Sequence, residues 1–169
     1  MSVNSILENL EYNSSAGALH FKDVRYLLIR PETIIGFQKA IEEKSAKLAR
    51  DTFFQGGFKG GHLSAKKYRE INNFDDTQLI DFMMKMGTEI GWGHFRLRRF
   101  DSQQNHLSII VEQSAFAGAY GKSSSGVCHL IRGVLSGMAS VIFNKKCLGS
   151  EIKCLAKGDE HCYFEIKAL

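Results

Sequence analysis

The sequence predicts an α+β fold, an antiparallel sheet of four to five strands packed by helices. Three observations carry that prediction. Apolar residues recur at helical spacing in three runs: Ile34, Phe37, Ile41 and Leu48; Leu79, Met83, Met86 and Ile90; Cys128, Ile131, Leu135, Met138 and Ile142. Two pairs of shorter runs alternate across turn residues in the manner of hairpins, Trp92 to Phe100 with Leu107 to Ser114, and Cys147 to Leu155 with Cys162 to Ile166. The length, 169 residues, suits one domain with a real core.

Taken in order, residues 1–17 are rich in Asn, Ser and Glu, with Ile6, Leu7 and Leu10 as their apolar anchors. They read as a short helix or an N-terminal arm, docked on a neighbouring subunit, and residues 18–169 as a single domain. Leu19 to Ile29 alternates weakly around Lys22-Asp23, a small hairpin. Pro31 suits a first helical turn, where its missing N–H costs nothing, so a helix is expected from there to about Phe54. Gln55 to His62, QGGFKGGH, reads as a glycine-rich connector; it lacks the Gly-Lys-Ser/Thr ending and the preceding strand of a phosphate loop. Asp75 and Gln78 have capping-box spacing at the head of the second helix. Its methionines could adapt to a ligand, though a Met stripe at this spacing usually builds core.

Gly91 to Phe95 leads into the first hairpin, which turns at Asp101 to Asn105. Phe95 and Leu97 are expected on one face, with Arg96, Arg98 and Arg99 solvated. Gly121-Lys122-Ser123 resembles the end of a phosphate loop, but Phe116 stands where that pattern requires glycine. Phe116 and Tyr120 look instead like a mobile aromatic segment covering a pocket. Gly133 and Gly137, one turn apart, would let the last helix approach a sheet closely.

Composition sets outer bounds. Hydrophobic residues are 44% and charged residues 24%, ordinary globular values. No apolar run reaches the roughly 18 residues of a membrane span, and no basic-apolar-small leader opens the chain, so a soluble, cytoplasmic protein is expected. A net charge of +4 permits an acidic or nucleic-acid partner without arguing for one. One proline rules out a Pro-rich linker, and the chain has no internal repeat.

Most of the chemistry lies between Gly126 and Ile166. Cys128 opens the last helix; Glu151 and Cys154 follow in a short strand, then a Lys-Gly-Asp-Glu turn, then Cys162. Three thiolates and a carboxylate make a tetrahedral set for zinc with no position left for activated water. Spacing alone leaves alternatives open. Four cysteines can be inert core residues or disulfide partners; the fourth ligand is Cys147 or Glu151, and His129 and His161 lie beside the candidates. One geometric difficulty stands. Glu151 and Cys154 are three apart and would face opposite ways on a regular strand, so a bulge is required, for which Gly149-Ser150 is the expected place.

Cys128, Glu151-Ile-Lys-Cys154 and Ala156-Lys-Gly158-Asp159-Glu-His-Cys162-Tyr-Phe164 together resemble the signature of the 4-vinyl reductase domain family. Gly133-Val-Leu-Ser-Gly137 is similar to its helix. The resemblance covers about residues 90–167, with the zinc-bearing part at 126–167. It implies structural Zn2+ held by Cys128, Glu151, Cys154 and Cys162, with Cys147 spare. It also implies a dimeric ligand-binding fold shared with vesicle-tethering subunits, and kinship with sensor domains of phenol- and xylene-responsive activators.

The function so implied is a zinc-stabilised module that binds a small hydrophobic or aromatic molecule as sensor or carrier. It would work as a homodimer and pass its signal to a separate protein. Trp92, His94, Phe95, Phe116, Tyr120 and Met138 are the candidate pocket residues. The family's phenol sensors hold the ligand hydroxyl with a Trp and a His. Counting back from Cys128 at their spacing reaches Leu107 and Leu79 here, a departure that puts phenol recognition in doubt. Two other classes compete. One is a tetrapyrrole-handling or vinyl-reducing enzyme of bacteriochlorophyll metabolism. The chain has no strand-anchored Gly-x-Gly-x-x-Gly, flavin motif or spare cysteine set for it, and no catalytic residue is assigned. The other is a dimeric structural adaptor with a filled core.

Overall fold

The computed structural model describes residues 3–169. Near the N-terminus lie α1 (Ser5–Glu8), β1 (Glu11–Asn13), β2 (Ala18–Phe21) and β3 (Val24–Tyr26). The three strands form a small antiparallel sheet, with Lys22 and Asp23 both at positive φ in the two-residue turn that the Lys-Asp pair marks. The segment expected to reach a neighbouring subunit packs on its own chain. Ile6 is buried, and the Glu89 carboxylate accepts from the Ser5 hydroxyl and the Ile6 N–H.

Helices α2 (Pro31–Glu42), α3 (Ala46–Asn72) and α4 (Asp76–Glu89) follow. Two expectations need correction here. The helix opened by Pro31 stops at Glu42, because Ser45 is extended and its hydroxyl accepts from the Leu48 N–H, starting a new helix. The supposed connector QGGFKGGH is interior to that helix, which runs 27 residues. Glycine costs a helix about 1 kcal/mol relative to alanine, and packing offsets the cost. A Cβ on Gly57 or Gly61 would collide with the backbone of Leu130 or Val134, and one on Gly133 or Gly137 with the backbone of Phe54 or Phe58. Helix α6 (His129–Ile142) therefore lies backbone to backbone on α3, so Gly133 and Gly137 serve a helix and not the sheet. The Asp75–Gln78 capping box at the head of α4 forms as its spacing predicts.

The main sheet has the order β4-β5-β7-β6, antiparallel throughout: β4 (His94–Asp101), β5 (His106–Glu112), β6 (Cys147–Lys153) and β7 (Cys162–Ala168). Its core face carries Leu107, Ile109, Val111, Phe164 and Ile166, all fully buried. Phe95 and Leu97 pair with Val111 and Ile109 on that face, although Leu97 stays 39% exposed on the edge strand. The arginines lie in solvent, Arg96 paired with Glu112 and Arg99 with Asp101. Between β5 and α6, the segment read as mobile is the short helix α5 (Ala115–Tyr120), capped by Ser114.

Candidate metal centre and apolar cavity

The difficulty of Glu151 and Cys154 is resolved by the pairing of β6 with β7. Glu151 pairs with Phe164 and Lys153 with Tyr163, so Ile152 is an extra residue bulged out of the ladder. That one insertion turns both Glu151 and Cys154 toward the core face. The bulge is at Ile152, whereas Gly149 sits in regular register opposite Ile166. Its lack of a side chain answers a different need, because a Cβ there would lie 2.6 Å from Ser136 Oγ on α6.

Four donors then converge. One ligand atom from each of Cys128, Glu151, Cys154 and Cys162 lies within 4.8 Å of the others. Cys128 stands at the N-cap of α6, its sulfur 3.7 Å from that of Cys162 and its N–H donating to Glu151 Oε2 at 3.0 Å. The Asp159 carboxylate accepts from the Cys154 N–H at 2.8 Å. A 3-10 turn at Leu155–Lys157, closed by Gly158 at φ 93°, brings the Leu155 N–H to Cys162 Sγ at 3.4 Å. Gly126 makes room for the carboxylate, since a Cβ there would stand 2.5 Å from Glu151 Oε2. Glu151 Oε1 is buried without a hydrogen-bond partner, as a donor atom awaiting a cation would be.

The charges agree with that arrangement. Burial, then contact with Cys154, pushes the Glu151 carboxyl up to about 8. Hydrogen bonds to Cys154 and Cys162, then burial, raise the Cys128 thiol, and the same bonds lower Cys154, which receives them. The bond with Cys128 lowers Cys162, but its bond to Cys154 and burial push it up to about 12. A metal-free cluster thus holds protons that a cation would replace. Cys147 lies outside the set at the far end of β6, its thiol pushed up to about 11 by burial.

Three of the six residues expected at a pocket, Trp92, Phe95 and Met138, line an apolar cavity of about 170 Å³ between α3, α4, α6 and β4. Phe116 packs edge-on against Trp92, ring centres 5.0 Å apart, in an adjoining groove of about 630 Å³ that shares Tyr26, Ile90 and Trp92 with the cavity. The other two lie elsewhere. His94 is on the solvent side of β4, its Nδ1 3.3 Å from Glu112. Tyr120 donates to Glu42 at 2.7 Å and lines a polar cleft with His129, Arg132 and Glu151. Burial pushes His129 down to about 4, and it stays neutral beside Arg132. Sequence reasoning missed Tyr26, Met84, Gly60, Gly61 and Ser64 on the cavity wall. Met83 and Met86, noted only as a stripe, line it too, so stripe and glycine run together were the available signal.

Known proteins share both the fold and the donor-bearing region. Residues 107–168 match the profile of the 4-vinyl reductase domain. The phenol regulator MopR of Acinetobacter guillouiae is 22% identical over 172 residues, taking in 95% of this chain and 30% of MopR, so the chain spans under a third of that relative. The phenol-responsive sensory domain of the transcription activator PoxR, solved with phenol, superposes with a TM-score of 0.85 at 18% identity, over 97% of this chain and 87% of that one. Subunit 3 of a trafficking protein particle complex from Naegleria fowleri, covalently bound to palmitic acid, gives 0.56 at 10% identity, over 82% and 95%. At these identities the structures establish a shared α+β fold, which is the fold class the sequence predicts. Residues 107–168, with Cys128, Glu151, Cys154 and Cys162 among them, belong to the 4-vinyl reductase domain family.

Proposed function

We propose that this chain is a zinc-stabilised module that binds a small hydrophobic or aromatic molecule and acts as a sensor or carrier. The observation that carries the reading is the apolar cavity of about 170 Å³ walled by Met83, Met84, Met86, Phe95 and Met138. An apolar cavity of roughly 150 Å³ stays dry and accepts benzene, so this one suits a single ring or a short hydrocarbon. A tetrapyrrole has four such rings and their bridges, which is why the reductase-related alternative is the poorer fit. The sensory domain of PoxR, on the same fold, responds to phenol.

Zinc suits the donor set in number and in kind. Tetrahedral zinc with Zn–S bonds of about 2.3 Å separates two sulfurs by about 3.8 Å, and Cys128 and Cys162 are 3.7 Å apart. With four protein ligands the metal would be structural, tying the start of α6 to the β6–β7 hairpin. Homodimer formation belongs to the same reading. Leu27, Leu28 and Ile29 are consecutive and 79%, 79% and 52% exposed, on the groove that adjoins the cavity. Action in the cytoplasm and transfer of the signal to a separate protein complete it.

Trp92 is the one tryptophan of the chain and lines the cavity, so its emission reports occupancy. Titration with toluene or phenol is expected to change that emission saturably and to raise the thermal midpoint. Flat emission across a broad set of single-ring and short-chain compounds would overturn the binding reading and favour a structural adaptor. Native mass spectrometry of the same preparation is expected to show one zinc per chain and a dimer.

A further inference from the structure

The cavity wall is apolar except at one corner, where Tyr26 meets Tyr68. Their hydroxyl oxygens are 2.5 Å apart, and the Tyr26 hydroxyl also lies 3.3 Å from Met86 Sδ. Tyr26 and Met86 both line the cavity, which places that hydroxyl at its surface. Tyr68 is fully buried behind it, packed against Phe21 and Phe82.

The proton positions follow from what each group can accept. A hydroxyl has one proton to give and two lone pairs. Among the described residues the Tyr68 hydroxyl meets only that of Tyr26, so its proton goes to Tyr26; otherwise a buried donor is left unmade. The proton of Tyr26 then points to the thioether of Met86, a weak acceptor. A better acceptor entering the cavity takes that proton at little cost, and the second lone pair of Tyr26 can receive a proton in return. The bond from Tyr68 polarises Tyr26 and strengthens both exchanges.

We propose that the Tyr68–Tyr26 pair is the polar reader of this cavity, selecting a single-ring ligand that carries one oxygen function over a plain hydrocarbon of the same size. The inference rests on the cavity reading above and adds to it the group that sets specificity. It also supplies a hydroxyl-binding element in a chain that has Leu79 and Leu107 at the positions expected for a His and a Trp.

The test compares two probes of similar size, phenol and toluene, by calorimetric titration against the full chain and its variants. Tyr26→Phe is expected to weaken phenol about tenfold, the worth of one hydrogen bond, and to leave toluene within about twofold. Tyr68→Phe is expected to lower the phenol-to-toluene ratio by less, because it removes only the polarising donor. Tyr26→Phe strands the Tyr68 hydroxyl and lowers the thermal midpoint. The double variant Tyr26→Phe/Tyr68→Phe is expected to recover the midpoint without recovering the ratio. If both probes bind and the ratio does not move, this inference is overturned and the cavity reading stands. If neither probe binds the unaltered chain, both are overturned.

Discussion

At its start α6 delivers Cys128 to a cluster of polar donors, and two to three turns later the same helix delivers Val134, Leu135 and Met138 to an apolar cavity. The first place is fixed atom by atom. The bulge at Ile152 sets which way Glu151 points, Asp159 holds the N–H of Cys154, the turn at Leu155–Lys157 aims an N–H at Cys162, and Gly126 leaves space for a carboxylate. The second is fixed only as a volume, by the distance at which four glycines let α3 and α6 approach. Coordination is directional, so each donor needs its own local support. Dispersion and exclusion of water are not directional, so a wall needs only the right residues at the right separation.

If that contrast holds, each end fails in its own way. Cys162→Ser has the largest expected effect, because it removes a ligand together with the acceptor of the Leu155 N–H. Loss of metal and of roughly 5 kcal/mol or more is expected, against apparent zinc contributions of about 10–16 kcal/mol in small zinc-folded peptides. Metal analysis alongside a thermal melt reads both; a variant that keeps its midpoint would remove the metal from the list of what holds this fold. Gly61→Ala comes next. Its methyl would press on the backbone of Val134, which has no rotamer with which to yield, and a loss of about 2–3 kcal/mol with a weakened response to ligand is expected while metal is kept. Gly56→Ala, on the same helix with nothing near its Cβ, is expected to gain about 1 kcal/mol instead. Should Gly61→Ala shed its metal, the two ends are one cooperative unit and the contrast is wrong.

The same contrast explains what can be read from the sequence. Cysteine and glutamate at fixed spacing are a chemical signal, and it singles out Cys128, Glu151, Cys154 and Cys162 before any geometry. What spacing does not encode is parity: the bulge falls at Ile152 because the pairing of β6 with β7 puts it there, and the nearby glycine draws attention to the wrong position. The cavity is legible only in fragments. Trp92, Phe95 and Met138 have the side chains of a pocket wall and of an ordinary core alike. His94 carries a donor that the alternation of β4 turns to solvent. The glycine run misleads because its local preference is for a loop, and its partner surface lies far along the chain at Leu130 and Val134. Tyr26 sits on a three-residue strand beyond the matched family region, where no periodicity could tie it to α4.

The smallest expected effect is one of slope, and it asks whether Glu151 is a true member of the metal corner. Without metal, burial holds its proton up to about 8, while Cys128 and Cys162 keep theirs to higher pH. A bound cation requires all of them deprotonated, so the metal-bound state carries fewer protons and affinity must rise with pH. Below about 8 Glu151 adds one released proton, a tenfold gain in affinity per pH unit beyond what the thiols give; above it, Glu151 adds none. Glu151→Gln has no such proton. Its zinc affinity, measured by competition with a chromogenic chelator, is expected to be lower and to climb less steeply with pH, by about one proton, until the two slopes meet near 8. Equal slopes below 8 would mean that Glu151 keeps its proton when metal binds. The fourth position would then belong to water or to a group that approaches only with the metal, and a site open at one ligand would no longer be purely structural.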